Sequence, residues 1–161
     1  MFEKKQAQKI TDPHLALVKM QSWCAYQERC QQETRDKLYD LGLWPEAVES
    51  IIAKLIEENF LNEERFACSF ARGKFNIKKW GRIKIKQELK QKRISEYCLK
   101  KALQEINGDD YLNTLIKLID NKRQLIKEKS PIKLQYKLMN YALSKGYERD
   151  LIMDVLKLHE K

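Results

Sequence analysis

The chain is short of several things, and each shortage closes off a class of protein. Glycine (five) and proline (three) are scarce in its 161 residues. With so few breakers among abundant Lys, Glu, Gln and Leu, the backbone is expected to be helical. There is no P-loop, no Gly-rich phosphate cradle and no nucleophile elbow, so nucleotide-dependent and serine-hydrolase chemistry lack their usual frames. No apolar run approaches the roughly 18 residues that span a bilayer, and the N-terminal MFEKKQAQKI lacks the apolar centre of a signal peptide. A cytoplasmic protein without a membrane partner is expected. Histidine is limited to His14 and His159, near opposite ends, and Cys24, Cys30, Cys68 and Cys98 include no C-x-x-C pair. Metal-ligand spacing is therefore missing, and the cysteines read as free, half-buried thiols. Acid pairs stand at Glu57–Glu58, Glu63–Glu64 and Asp109–Asp110, but adjacent residues on a helix point about 100° apart and cannot converge on one ion. Carboxylates at helix starts account better for the last two pairs. No enzyme, cofactor or metal is expected.

Acids are also missing from one region. Between Arg72 and Lys101 stand twelve Lys or Arg and only Glu88 and Glu96, a local excess of +10 in a chain whose net charge is +9. Residues 1–71 carry −3 and residues 102–161 carry +2. The positive charge is concentrated in the middle third, and a soluble helical protein with such a face suits a polyanionic partner.

Helix signals follow a repeating order. Asp12–Pro13 starts the first helix, whose apolar face is Leu15, Ala16, Met20, Trp23 and Cys24. A second runs through QQETRDKLYDL to a stop at Gly42, and a third starts at Pro45 and ends at Asn59. The next set is expected at Glu63–Ile77, capped by Asn62 and carrying Phe66, Phe70 and Ile77 on its apolar side, then Trp80–Lys92, then Glu96–Ile106 capped by Ser95. The last set is expected at Asp110–Glu128, Pro131–Ser144 and Glu148–His159. Gly42-Leu43, Arg93-Ile94 and Gly146-Tyr147 mark the same corner, 51 and then 53 residues apart. Each corner leads into one spacing: Val48, Ile51, Ile52, Leu55; Leu99, Ala102, Leu103, Ile106; Ile152, Val155, Leu156, His159. The reading is all-α: three tandem three-helix repeats forming an elongated array. Boundaries fall at 1–11 for a flexible N-terminus, 12–59, 60–107 (the basic repeat) and 108–161.

In the basic repeat, Arg82, Lys86, Lys90 and Arg93 recur at steps of four, four and three and form one stripe. Arg72, Lys74, Lys78, Lys79 and Lys84 extend it. Trp80 and Ile83 fall on the side away from Ile85 and Leu89, where an aromatic among lysines stacks on a base, docks in a protein groove or packs between repeats. These cations spread along a helix instead of clustering at its start, which favours phosphate tracking over base reading.

Three segments, ETRDKLYDLGL, FLNEERFACSFARGK and GRIKIKQELKQKRI, resemble the bacterial RecX regulatory family. Its middle repeat carries D/N-E-x-R-F-A after a Phe or Leu turn, matched by Leu61, Asn62, Glu63, Arg65, Phe66 and Ala67. A later Gly-x3-Ile-x3-Leu pattern is matched by Gly81, Ile85, Leu89 and Ile94. The likeness runs from about Leu15 to Leu156. Two positions depart: Arg93 stands where a corner glycine is usual, and Cys30 where a serine N-cap is common, so Glu33 or Gln31 is expected to take over that cap. The resemblance implies an elongated, curved helical monomer that binds the RecA–DNA filament in its helical groove. It further implies damping of RecA ATPase, strand exchange and co-protease activity. Partners would be the RecA filament and single- or double-stranded DNA, the latter through Arg72, Lys74, Lys78, Lys79, Trp80, Arg82, Lys84, Lys86, Lys90 and Arg93. A stand-alone helix-turn-helix-like DNA-binding protein is the competing reading.

Overall fold

The computed structural model describes residues 8–158, which form nine helices and no strand. Three make each repeat: α1 (Pro13–Tyr26), α2 (Gln31–Asp40) and α3 (Pro45–Glu57); α4 (Glu63–Lys78), α5 (Arg82–Gln91) and α6 (Glu96–Gln104); α7 (Gly108–Leu125), α8 (Pro131–Ser144) and α9 (Arg149–Leu158). Side-chain oxygens of Asp12, Asn62, Ser95, Asn107 and Ser130 accept from first-turn amides of their helices. Each satisfies a donor that the helix itself cannot. The expected end of the last helix at His159 lies outside the described residues, as do residues 1–7 of the expected flexible terminus. Residues 9 and 10 are docked: Ile10 donates its amide to Leu41 O at 3.0 Å, and Lys9 Nζ donates to Asp40 O.

The corner holds in all three repeats. Gly42, Arg93 and Gly146 have φ of 101°, 58° and 95°, a region where an L side chain is strained and glycine is not. Arg93 therefore makes the same turn as the two glycines and carries that strain. Cys30 itself caps α2: its Sγ accepts from Glu33 N at 3.4 Å while Glu33 Oε1 accepts from Cys30 N at 2.7 Å. The expected substitute, Glu33, thus works together with the cysteine in a capping box. Burial pushes the Cys30 thiol above its ordinary value and the Cys24 thiol up to about 11, so both remain neutral.

Several expected core positions move outward. Leu15 and Ile77 are exposed, because Ala16, Met20 and Cys24 suffice to seat α1, and Phe75 takes the inward place at the end of α4. Leu103 is half-buried where Leu99 and Ala102 are fully buried. Trp80 is not helical: α4 ends at Lys79 with φ 60°, and α5 begins only after Gly81.

Two buried clusters result. One belongs to the first repeat and includes Met20, Leu38, Val48, Ile52, Leu55 and Leu61. The other runs without a break through the second and third repeats, from Phe66, Ile85 and Leu99 to Leu115, Leu138 and Ile152.

The second and third repeats interlock at α5. Gly81 has no side chain to cap the helix, and the free amides go to the third repeat instead. Gly81 N donates to Lys145 O at 2.7 Å, Arg82 N to Tyr111 Oη at 3.0 Å and Ile83 N to Gly146 O at 2.9 Å. A Cβ on Gly81 would clash with the Gly146 carbonyl, and one on Gly146 with the backbone of Lys84. Tyr147 Oη donates to Lys79 O at 2.9 Å, and the Tyr111 and Tyr147 rings stack at 4.9 Å.

Candidate nucleic-acid and filament interface

All ten candidate residues lie within or beside α4 and α5, with Arg82, Lys86, Lys90 and Arg93 along one flank of α5 and Lys74, Lys84 and Trp80 on the other. Packing of Ile85 and Leu89 into the core turns α5 so that its cations separate onto two flanks.

On the α4 flank, Trp80 is half-buried and meets Phe70 edge-on at 6.5 Å. Lys74 Nζ lies 4.9 Å and Lys84 Nζ 4.6 Å from its ring. Packing and cation contact are therefore combined in one side chain. Each ammonium is attracted by the negative face of the indole ring while its charged end stays reachable by solvent. Lys92 reaches the Phe70 ring at 5.9 Å, and the exposed Lys78 borders a shallow hollow with Ser69, Phe70, Gly73, Lys74 and Ile77. Lys79, also exposed, borders a second hollow with Thr114, Lys117, Leu118 and Asn121 of α7. The positive surface thus passes from the second repeat to the third.

On the other flank, Arg82 is largely engaged. Its guanidinium lies 4.0 Å over the Tyr111 ring, and Nη1 is 3.6 Å from Glu148 Oε2. Tyr111 Oη donates to Glu148 Oε1 at 2.7 Å, and burial raises its phenol well above the ordinary tyrosine range. Arg82 is thus a joint between repeats as much as a surface cation. Lys86 is exposed and unpaired, Lys90 is 3.9 Å from Glu96, and Arg93 stands exposed at the corner. Arg72, on α4, pairs with Glu105 at 3.0 Å across to the end of α6. Ile83 is exposed and lies opposite the core, as expected from its helical angle.

Phe70, Lys92 and Lys100 were not singled out in the sequence. Phe70 reads there as core, and the two lysines were counted in the basic run without being assigned a place. Among the described residues no group of His, Cys, Asp and Glu is arranged to hold a metal, and no helix is long and apolar enough to cross a membrane.

The LNEERFA block also acquires a physical meaning. Leu61 is buried in the first core, whereas Phe66 and Ala67 are buried in the second. Arg65 clamps the junction, with Nε 2.5 Å from Glu28 Oε1 and Nη2 donating to the carbonyls of Asn59 and Phe60.

Comparison with known proteins agrees with this architecture. Residues 62–103 match the model for RecX, second three-helix domain, and residues 109–156 that for RecX, third three-helix domain. The chain is 33% identical over 131 residues to a protein of Clostridium perfringens named Regulatory protein RecX, covering 80% of this chain and 61% of that one. It is 26% identical over 136 residues to the Bacillus cytotoxicus protein of the same name, covering 84% and 50%. The chain thus spans between half and three-fifths of the length of these relatives. A crystal structure of RecX from Lactobacillus salivarius superposes with a TM-score of 0.81 at 24% identity, over 90% of this chain and 94% of that one, a likeness of fold. With two consecutive RecX domains in register, together more than half the chain, this protein belongs to the RecX family.

Proposed function

We propose that this chain regulates the RecA recombinase by binding its filament on DNA, damping ATPase, strand exchange and co-protease activity. It would act in the cytoplasm, as a monomer, by binding and without catalysis of its own. The observation that carries the reading is the basic second repeat of a RecX-family chain. There Lys74 and Lys84 stand over the Trp80 ring, Lys78 lies beside Lys74 on α4, and the start of α5 is held by the third repeat. Such a surface can follow phosphates without reading bases, which suits a regulator that meets filaments on any sequence. The aromatic ring steadies the ammonium groups that do so.

The test compares wild type with Lys74→Gln/Lys78→Gln/Lys84→Gln, which neutralises charge without forcing a carboxylate against Trp80. Oligonucleotide affinity should fall, and the slope of log affinity against log salt should flatten by about 2–3 as counterion release is lost. RecA ATPase on single-stranded DNA should be damped by wild type and less so by the variant. Oligonucleotide binding with no effect on RecA at any ratio would instead identify a stand-alone helix-turn-helix-like DNA-binding protein.

A further inference from the structure

On the flank of α5 away from Trp80, α5 and α6 enclose a cleft of ≈ 570 Å³ lined by Arg82, Lys86, Glu96, Leu99, Lys100, Leu103 and Gln104. Its chemistry differs from that of the Trp80 cluster. The base is aliphatic: Leu99 is buried beneath it and Leu103 is half-buried at its wall. Cations stand around it, of which Lys86 and Lys100 are exposed and hold no ion pair, while Arg82 is drawn to Glu148. The single carboxylate, Glu96, is turned toward Lys90 at 3.9 Å, so its charge is partly offset. Three cations thus face one acid over an apolar base.

We propose that this cleft receives an acidic segment of a partner protein, with an apolar side chain seated on the half-buried Leu103 and carboxylates paired to Lys86 and Lys100. A phosphodiester backbone would satisfy the lysines and leave the accessible side of Leu103 uncovered, since it has no apolar group to bring. A peptide carrying Asp or Glu beside Leu or Phe satisfies both. Burying one such side chain gives affinity through the hydrophobic effect, and the lysines give selection and a faster encounter. A volume of this size falls within the range of ordinary binding clefts and admits a large side chain with its neighbours. The candidate residues then divide by partner chemistry: the Trp80 flank for nucleic acid, the α6 flank for protein. This division rests on the proposed function only in assigning the segment to the filament; the cleft's ligand class stands on its own geometry.

The probes are a fluorescein-labelled peptide alternating Asp and Glu with Leu, a matched peptide with Ser for Leu, and oligo(dT). The proteins are wild type, Lys86→Glu/Lys100→Glu and Leu103→Ala. Both lysines are exposed, so their reversal should leave the fold intact, and circular dichroism checks this. Wild type should bind the Leu peptide at least about tenfold tighter than the Ser peptide. The charge-reversal variant and Leu103→Ala should each weaken the Leu peptide about tenfold, the first also losing the salt dependence of that interaction. Oligo(dT) affinity should stay within about twofold for Leu103→Ala and fall less than the peptide's for the lysine pair. Equal affinity for the two peptides, an unchanged peptide affinity in the lysine variant, or an equal loss of oligo(dT) and peptide would each overturn the proposal. Pulldown of RecA filaments with the same variants is read separately. Peptide binding lost with filament binding intact keeps the cleft and removes the filament as its source.

Discussion

The two junctions between repeats are built from different materials. Between the first and second repeats the links are side chains: Arg65 to Glu28, Asn59 and Phe60, and Gln31 N to Glu63 Oε1 at 3.4 Å. Among the described residues, Cys30 alone reaches from the first repeat into the second core. Between the second and third repeats the link is backbone on backbone, two glycines in contact and two tyrosine rings stacked, inside one continuous core. Side chains can rearrange at modest cost, whereas backbone amides buried against another element have no second partner to turn to. The second and third repeats should therefore behave as one body, with the first repeat the more readily detached. The basic helix sits on the rigid side of that division.

The largest effect is expected at the interlock. Gly146→Ala adds a Cβ at φ 95° against the backbone of Lys84, and both strain and displacement oppose it, on the order of 3–5 kcal/mol together. Gly42→Ala tests the same corner where the nearest neighbour is the flexible Lys9 side chain at 3.5 Å. It should cost only the backbone term, about 1–2 kcal/mol. Urea unfolding of both variants decides the matter, and equal losses would show that the Gly81–Gly146 contact adds nothing.

Truncating the two cores should separate them. Leu115→Ala and Leu55→Ala, both at fully buried sites, should each cost about 2–5 kcal/mol. Leu115→Ala should lower one transition shared by the second and third repeats. Leu55→Ala should lower an earlier transition confined to the first, as read by amide hydrogen exchange. A single transition that shifts equally in both variants would mean the side-chain junction couples as strongly as the interlock.

Smaller changes refine the picture. Tyr111→Phe removes a hydroxyl that accepts from Arg82 N and donates to Glu148, at about 1–2 kcal/mol through the amide left unsatisfied. Exchange of the Arg82 amide should quicken, and oligonucleotide binding should weaken modestly as α5 loses part of its cap. Arg65→Ala removes an ion pair whose two sides are about a third exposed, so solvent screening limits its cost to about 1 kcal/mol. Protease cutting between residues 57 and 62 should nevertheless increase, while stability of the second and third repeats stays put.

Much of the architecture was legible beforehand because it is local. Asp12, Asn62, Ser95 and Ser130 cap helices with their own side chains, and Gly42, Arg93 and Gly146 turn the same corner from the same position. The site was less legible. Counting at 100° per residue put Arg82, Lys86, Lys90 and Arg93 on one stripe and set Trp80 on the same helix. The counting failed at Trp80 because the chain leaves the helix at Lys79, three residues before α5 begins at Arg82. Arg82 keeps its place beside Lys86, but Glu148 and Tyr111 engage its guanidinium, which the spacing could not show.

The sequence by itself determined the helices, the caps at Asp12, Asn62, Ser95 and Ser130, the threefold repeat and the concentration of positive charge in the second repeat. These depend on residues within a few positions of one another, where propensity and periodicity act directly. Only the tertiary structure decided which repeats share a core, which cations remain free, and that the cap of α5 is supplied by Lys145, Gly146 and Tyr111. A bare glycine N-cap gives no local sign of its partner. The donors it leaves open are satisfied from far along the chain, by carbonyls that any residue could carry.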